Sequence, residues 1–167
     1  MTSLRTRPRR SKKTARAIAS GLLTRGVARI NVANRSFERA KALQERFGAT
    51  IKPVPWNEAK GQLAGCGLLV NTTSLGMSGQ PPLELDLTHL SANAVVADIV
   101  YAPLETDLLR AAKARGMRTA DGLGMLLHQA VRGFSLWFGI TPQVTPELRA
   151  LIEADLAPDA SRRTPAE

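Results

Sequence analysis

A single cysteine, Cys66, leaves no partner for an internal disulfide and no thiolate set for zinc, and it suits a reducing compartment. Two histidines, His89 and His128, are too few to anchor a metal cluster, so no metal site is expected. No apolar run approaches the roughly 18 residues needed to cross a bilayer, which excludes a membrane-spanning helix. Aromatic residues make up only 4% of the chain, and none lies within residues 1–13, so that basic stretch has no platform for stacking on bases. What remains is a chain of 167 residues with a normal apolar fraction of 44%, enough for one ordinary domain.

The net charge of +9 is not spread over the chain. Residues 1–37 hold ten basic side chains and no acidic one, whereas residues 38–167 hold 13 basic and all 14 acidic ones. A nucleic-acid-binding domain would carry its excess over a face; here the excess belongs to one end. Residues 1–13, MTSLRTRPRRSKK, show no apolar periodicity and are expected to be a disordered basic tail. A transit peptide has the same composition, as does a short nucleic-acid-binding tail. The missing aromatics argue against nucleic acid as a partner.

Regular pattern begins at Thr14. Ala15, Ile18, Ala19, Leu22 and Leu23 fall at helical spacing, with Gly26 as the stop. Strands are predicted over 29–33, 50–54, 68–71, 94–100 and 118–120, the fourth as a β-branched run buried on both faces. Between and after them lie helices over 37–47, 105–115 and 122–138, a weak helix near 57–63, and a last one opened by Thr145-Pro146. Ser36 is placed to cap the 37–47 helix, and Gly48 and Gly116 to end theirs. Residues 157–167 are expected to be a second disordered tail. Strands alternating with helices predict an α/β fold over 14–156, a Rossmann-like doubly wound parallel sheet.

Ligands of such sheets sit at the carboxyl ends of the strands, and three stretches stand there. In Asn34-Arg35-Ser36-Phe37-Glu38-Arg39, the two arginines lie four apart at a helix start, where a basic residue suits the 2′-phosphate of NADP. Two solvated arginines are the plainer alternative. Asn71-Thr72-Thr73-Ser74-Leu75-Gly76-Met77 could line a ribose and nicotinamide, or be an ordinary turn and capping loop. Asp98-Ile99-Val100-Tyr101 puts a phenol just past a buried strand, and Asp121-Gly122-Leu123-Gly124-Met125 starts a helix with two glycines that permit close backbone approach.

Taken together, NRSFERA, VNTTSLGM, DIVYAPLET and DGLGMLLHQA resemble the shikimate dehydrogenase family in its cofactor-binding half. NRSFERAKAL alone is also similar to glutamyl-tRNA reductase, which would leave DGLGMLLHQA unexplained. The resemblance implies a cytoplasmic, NADP-dependent enzyme that interconverts 3-dehydroshikimate and shikimate. It implies that Asn34, Arg35, Ser36 and Arg39 hold the adenosine 2′-phosphate. Thr73, Ser74, Ile99, Gly122 and Met125 would flank nicotinamide, and Tyr101 and Gln129 would touch shikimate.

Two departures stand against those matches. The family's buried first strand and Gly-Ala-Gly-Gly-Ala turn would fall on Thr2 to Lys13, where Arg10, Lys12 and Lys13 replace the glycines. The fold is therefore expected to lack its usual first strand and glycine-rich turn, as a frameshifted or misassigned gene start would produce. Losing four or five buried aliphatic side chains at roughly 1.5–3 kcal/mol each is comparable to a whole domain's stability of about 5–15 kcal/mol. The isolated chain is expected to be marginally stable unless a partner fills the gap. The family's substrate domain, with its catalytic lysine and aspartate, has no counterpart in these 167 residues, so no catalytic residue is assigned. A non-catalytic remnant or binding module is the alternative expectation.

Overall fold

A computed structural model of the chain describes residues 11–156. Residues 1–10 and 157–167, which hold most of both expected tails, lie outside the described residues. Ser11, Lys12 and Lys13, expected to belong to the tail, instead form the first turn of α1 (Ser11–Thr24). Its apolar face carries Ala15, Ala19 and Leu23 onto the first core.

Then follow β1 (Ile30–Asn34), α2 (Phe37–Phe47) and β2 (Ile51–Pro55). The two strands pair in parallel, Ile30 with Ile51 and Ala33 with Val54, as a short β-α-β connection requires. Ala19, Leu43 and Ile51 bury their side chains between the helices and this sheet, joined by the partly buried Ile30, Val32 and Phe47. Gly26, Gly48 and Gly116 all take positive φ, at 74°, 87° and 70°, which is why a glycine stands at each helix stop.

The weak helix is a 3₁₀ segment, Trp56–Gln62. It leads to β3 (Leu68–Asn71), β4 (Val95–Asp98), α3 (Asp107–Ala114) and β5 (Arg118–Ala120). These strands form a second parallel sheet in the order β3-β4-β5. A separate core packs Val96, Leu108, Leu109, Ala112 and Met117 with Leu63, Leu87 and Leu90. The run around β4 was expected to be buried on both faces. Instead Ala94, Val96, Asp98 and Val100 are buried, whereas Val95, Ala97 and Ile99 on the other face are only half-buried.

The chain closes with α4 (Gly122–Phe138) and α5 (Pro146–Leu156), the latter capped by Thr145, whose hydroxyl accepts from Leu148 N at 3.2 Å. None of the described helices is long and apolar enough to cross a membrane. The described residues are thus α/β with all-parallel pairing, but in two sheets rather than one. A cavity of about 740 Å³ lies between them, lined by β1, β3 and α1.

Candidate functional site

The carboxyl ends of β1, β3 and β4, together with the start of α4, carry every residue singled out from the sequence except Gln129, which follows two turns into α4. After β1, Asn34 turns the chain by accepting a hydrogen bond from Ser36 N on its Oδ1 at 2.9 Å. Ser36 does occupy the position before α2, but its side chain makes no capping bond, contrary to expectation. Its carbonyl accepts from Arg39 N at 3.0 Å, and among the described residues its hydroxyl has no hydrogen-bond partner. Arg35, Ser36 and Arg39 are exposed. Glu38, between the arginines in sequence, pairs with Lys41 at 3.3 Å. Among the described residues neither arginine has a carboxylate in ion-pair range. Two cationic forks and a free hydroxyl therefore stand at the start of a helix whose first N–H groups attract anions.

The ends of β3 and β4 are joined by a buried polar network that sequence reasoning missed. Asn71, 5% exposed, donates from Nδ2 to Asp98 Oδ1 at 3.0 Å and to Leu75 O at 3.1 Å. Its Oδ1 accepts from Thr73 N at 2.9 Å and from Thr73 Oγ1 at 2.8 Å. The Thr73 hydroxyl also accepts from Leu75 N at 3.1 Å. Asp98, 2% exposed, accepts from Val100 N at 3.0 Å and from the Thr106 hydroxyl at 2.8 Å, and Thr106 caps α3. Every buried side-chain polar atom among the described residues has a partner. A clue existed: an aspartate inside a β-branched run cannot be buried without donors. The loop after β3 is thereby held rigid, with Thr73 half-buried and engaged in the turn and Ser74 exposed beside it.

At the start of α4, Asp121 caps the helix by accepting from Leu123 N at 3.1 Å. It also pairs with Arg149 of α5 at 2.6 Å, a bond that raises the Arg149 pKa above its ordinary value. Gly122 is packed so tightly against the end of β4 that a Cβ would stand 2.3 Å from Ile99 O. Tyr101 and Met125 are half-buried, while His128 and Gln129 are exposed on α4. Four strand ends therefore present a cationic turn, a rigid hydroxyl-bearing loop, a phenol and a glycine-led helix. Cations at a helix start are chemically suited to an anionic group; among the described residues these strand ends bring no acid–base pair together.

Comparison with known proteins bears on the family and the fold. A family model described as shikimate / quinate 5-dehydrogenase matches residues 12–78, and one for the shikimate 5'-dehydrogenase C-terminal domain matches residues 122–151. Proteins named shikimate dehydrogenase (NADP(+)) are similar: one from Rhodopseudomonas palustris is 69% identical over 144 residues, covering 86% of this chain and 52% of the relative. The chain belongs to the shikimate dehydrogenase family. Its relative in Nitrobacter winogradskyi is 65% identical, covering 85% of this chain and 51% of the relative. The chain thus spans about half the length of the curated relatives it matches.

Among solved structures, quinate dehydrogenase from Corynebacterium glutamicum in complex with NAD superposes with a TM-score of 0.75 at 34% identity, covering 83% of this chain and 51% of that one. Shikimate 5-dehydrogenase from Thermus thermophilus in complex with NADP(H) and shikimate superposes with a TM-score of 0.68 at 33% identity, covering 84% of this chain and 50% of that one. Family membership thus rests on sequence and on fold together.

Proposed function

We infer that these residues form the adenosine-reading part of an NADP(H) site in a shikimate dehydrogenase, and that the 167-residue polypeptide does not turn over shikimate unaided. The observation that carries this is the placement of Arg35 and Arg39, both exposed, at the turn where β1 enters α2. In a doubly wound sheet that turn meets the ribose 2′ position, and cations there favour a 2′-phosphate over a bare hydroxyl. One strand between β1 and β3 would give the two sheets the 3-2-1-4-5-6 order of that fold, with β2 and β1 on one side and β3, β4 and β5 on the other.

The fit to the cofactor is uneven. The adenosine end has its cations, and Ser36 leaves a hydroxyl unused. At the pyrophosphate end, Lys12 and Lys13 stand inside α1 where the family turn has glycines, so the backbone cradle is not rebuilt. In this reading Thr73, Ser74, Ile99, Gly122 and Met125 border the nicotinamide, and Tyr101 and Gln129 face shikimate or 3-dehydroshikimate. When bound, NADPH supplies the hydride; the chain's own residues bind and orient. Asp98 and Asp121 are committed to a buried network and to a helix cap with an ion pair, which leaves neither for proton transfer.

Arg35→Ala tests the assignment. Removing one charged donor from a phosphate should weaken NADP+ binding by about 10- to 100-fold and leave NAD+ nearly unchanged, by titration calorimetry. Equal losses for both cofactors would remove the 2′-phosphate assignment.

A further inference from the structure

α4 is gripped by its first turn. Gly122 and Leu123 are its only buried residues, and from His128 onward the helix is partly or wholly exposed. α5 contributes no buried side chain at all. Apolar packing alone therefore gives α5 little hold, and what joins it to α4 is polar.

The joint is a chain of three charged groups. Asp121 Oδ1 accepts from Leu123 N at 3.1 Å and from Gly124 N at 3.4 Å, while its Oδ2 accepts from Arg149 Nη2 at 2.6 Å. Arg149 Nε pairs with Glu153 Oε1 at 2.7 Å, one turn along α5. Two carboxylates thus hold one planar guanidinium in a single orientation. The Arg149 and Asp121 side chains are only 32% and 26% exposed. The third guanidinium nitrogen, Nη1, lies 3.8 Å from where a Cβ of residue 124 would stand.

Gly122 and Gly124 lie about 200° apart around the helix axis, so they face nearly opposite ways. On one side Gly122 rests on the backbone at the end of β4; on the other the guanidinium lies along Gly124. The first turn of α4 is thus clamped between a strand end and an arginine. The helix dipole disfavours a cation at this end, and the Asp121 carboxylate holds Arg149 there. Helix stability alone calls for the aspartate and not for the cation. Gly122, Met125 and Gln129 recur at spacings of three and four, which puts them on one face of α4. The clamp on the first turn sets the direction of that face.

We propose that Arg149 is a positioning residue for the nicotinamide end of the cofactor: through Asp121 it fixes the start of α4, and with it Gly122 and Met125. Its Nε and Nη2 are committed to carboxylates, so it acts through Asp121 rather than on a ligand. This role rests on the NADP(H) reading above, in which Gly122 and Met125 border the nicotinamide.

Titration calorimetry on the full 167-residue chain with two ligands separates this role from a general structural one. NADP+ carries both ends of the cofactor, whereas 2′,5′-ADP carries the adenosine 2′-phosphate and no nicotinamide. Arg149→Met should weaken NADP+ binding about 5- to 10-fold and 2′,5′-ADP binding less than about twofold. A variant that merely loosened the fold would weaken both alike. Arg149→Lys keeps the charge but cannot fork between two carboxylates. It should show the same split at about two- to threefold for NADP+, and it serves if Arg149→Met fails to fold. Without ligand, hydrogen exchange at the amides of Leu123 and Gly124 should quicken at least about tenfold in Arg149→Met. The amides of Leu109 and Arg110, held by the separate cap at Thr106, should keep their rates. Equal losses for the two ligands, no loss for either, or unchanged exchange at Leu123 and Gly124 would each overturn the proposal. If the unaltered chain does not bind NADP+ more tightly than 2′,5′-ADP, the nicotinamide reading itself has failed and the positioning role falls with it.

Discussion

Gly122→Ala is expected to be the most damaging single-methyl change in the described fold, costing about 3 kcal/mol or more. The new Cβ would stand 2.3 Å from Ile99 O, 2.5 Å from Ile99 C and 2.6 Å from Val100 O. All three are backbone atoms at the end of β4, so no side chain can swing aside; α4 must lift or β4 must bend. Gly122 N also donates to Val100 O at 3.2 Å, so lifting the helix breaks that bond as well. Gly124 is the control. A Cβ there meets only the flexible end of Arg149, at 3.8 Å, and Gly124→Ala should leave stability unchanged or raise it by about 0.5 kcal/mol. Urea unfolding of the two variants side by side checks this; a mild Gly122→Ala would mean that α4 does not sit against β4 as described.

Asp98→Ala should cost nearly as much, about 3 kcal/mol, by a different route. The carboxylate is 2% exposed and gathers the Asn71 amide, Val100 N and the Thr106 hydroxyl. Truncation strands three donors away from water and loosens the β3 loop, the end of β4 and the α3 cap together. Asp98→Asn keeps the shape and two acceptor bonds, so about half that loss is expected. Because Thr106 acts through the same carboxylate, Asp98→Ala and Thr106→Val should be non-additive by about 1 kcal/mol or more in a double-mutant cycle. Strict additivity would mean that the three elements are held independently.

Much of the fold was legible because its elements are punctuated locally. α2 and α4 occupy the predicted spans, as do β3 and β5, and the glycines at 26, 48 and 116 end helices for the reason their chemistry gives. Less legible were features that depend on what lies across space. Ser36 sits where a cap belongs, yet its side chain makes no capping bond, which spacing alone does not reveal. The Asn71–Asp98–Thr106 network joins residues up to 35 positions apart in sequence, and only the cost of a buried aspartate hinted at it.

Burial was the least legible property. Apolar periodicity states which side chains prefer to be covered, not whether a neighbour is present to cover them. Thus the β4 run is buried on one face and half-covered on the other, and β1 is half-buried throughout. At the end of α4, Leu136, Trp137 and Phe138 are 76%, 81% and 61% exposed despite an apolar helix pattern. Positions after strands were easier to place, since strand ends follow from strand spans: Arg35, Ser74, Tyr101 and Gly122 follow the carboxyl ends of β1, β3, β4 and β5.

The most direct measurement supplies the 167-residue polypeptide with NADPH and 3-dehydroshikimate, following NADPH oxidation and, on the same sample, NADP+ binding. The account predicts detectable, 2′-phosphate-dependent binding and no oxidation above background. A cooperatively folded monomer that reduces 3-dehydroshikimate by itself would contradict it.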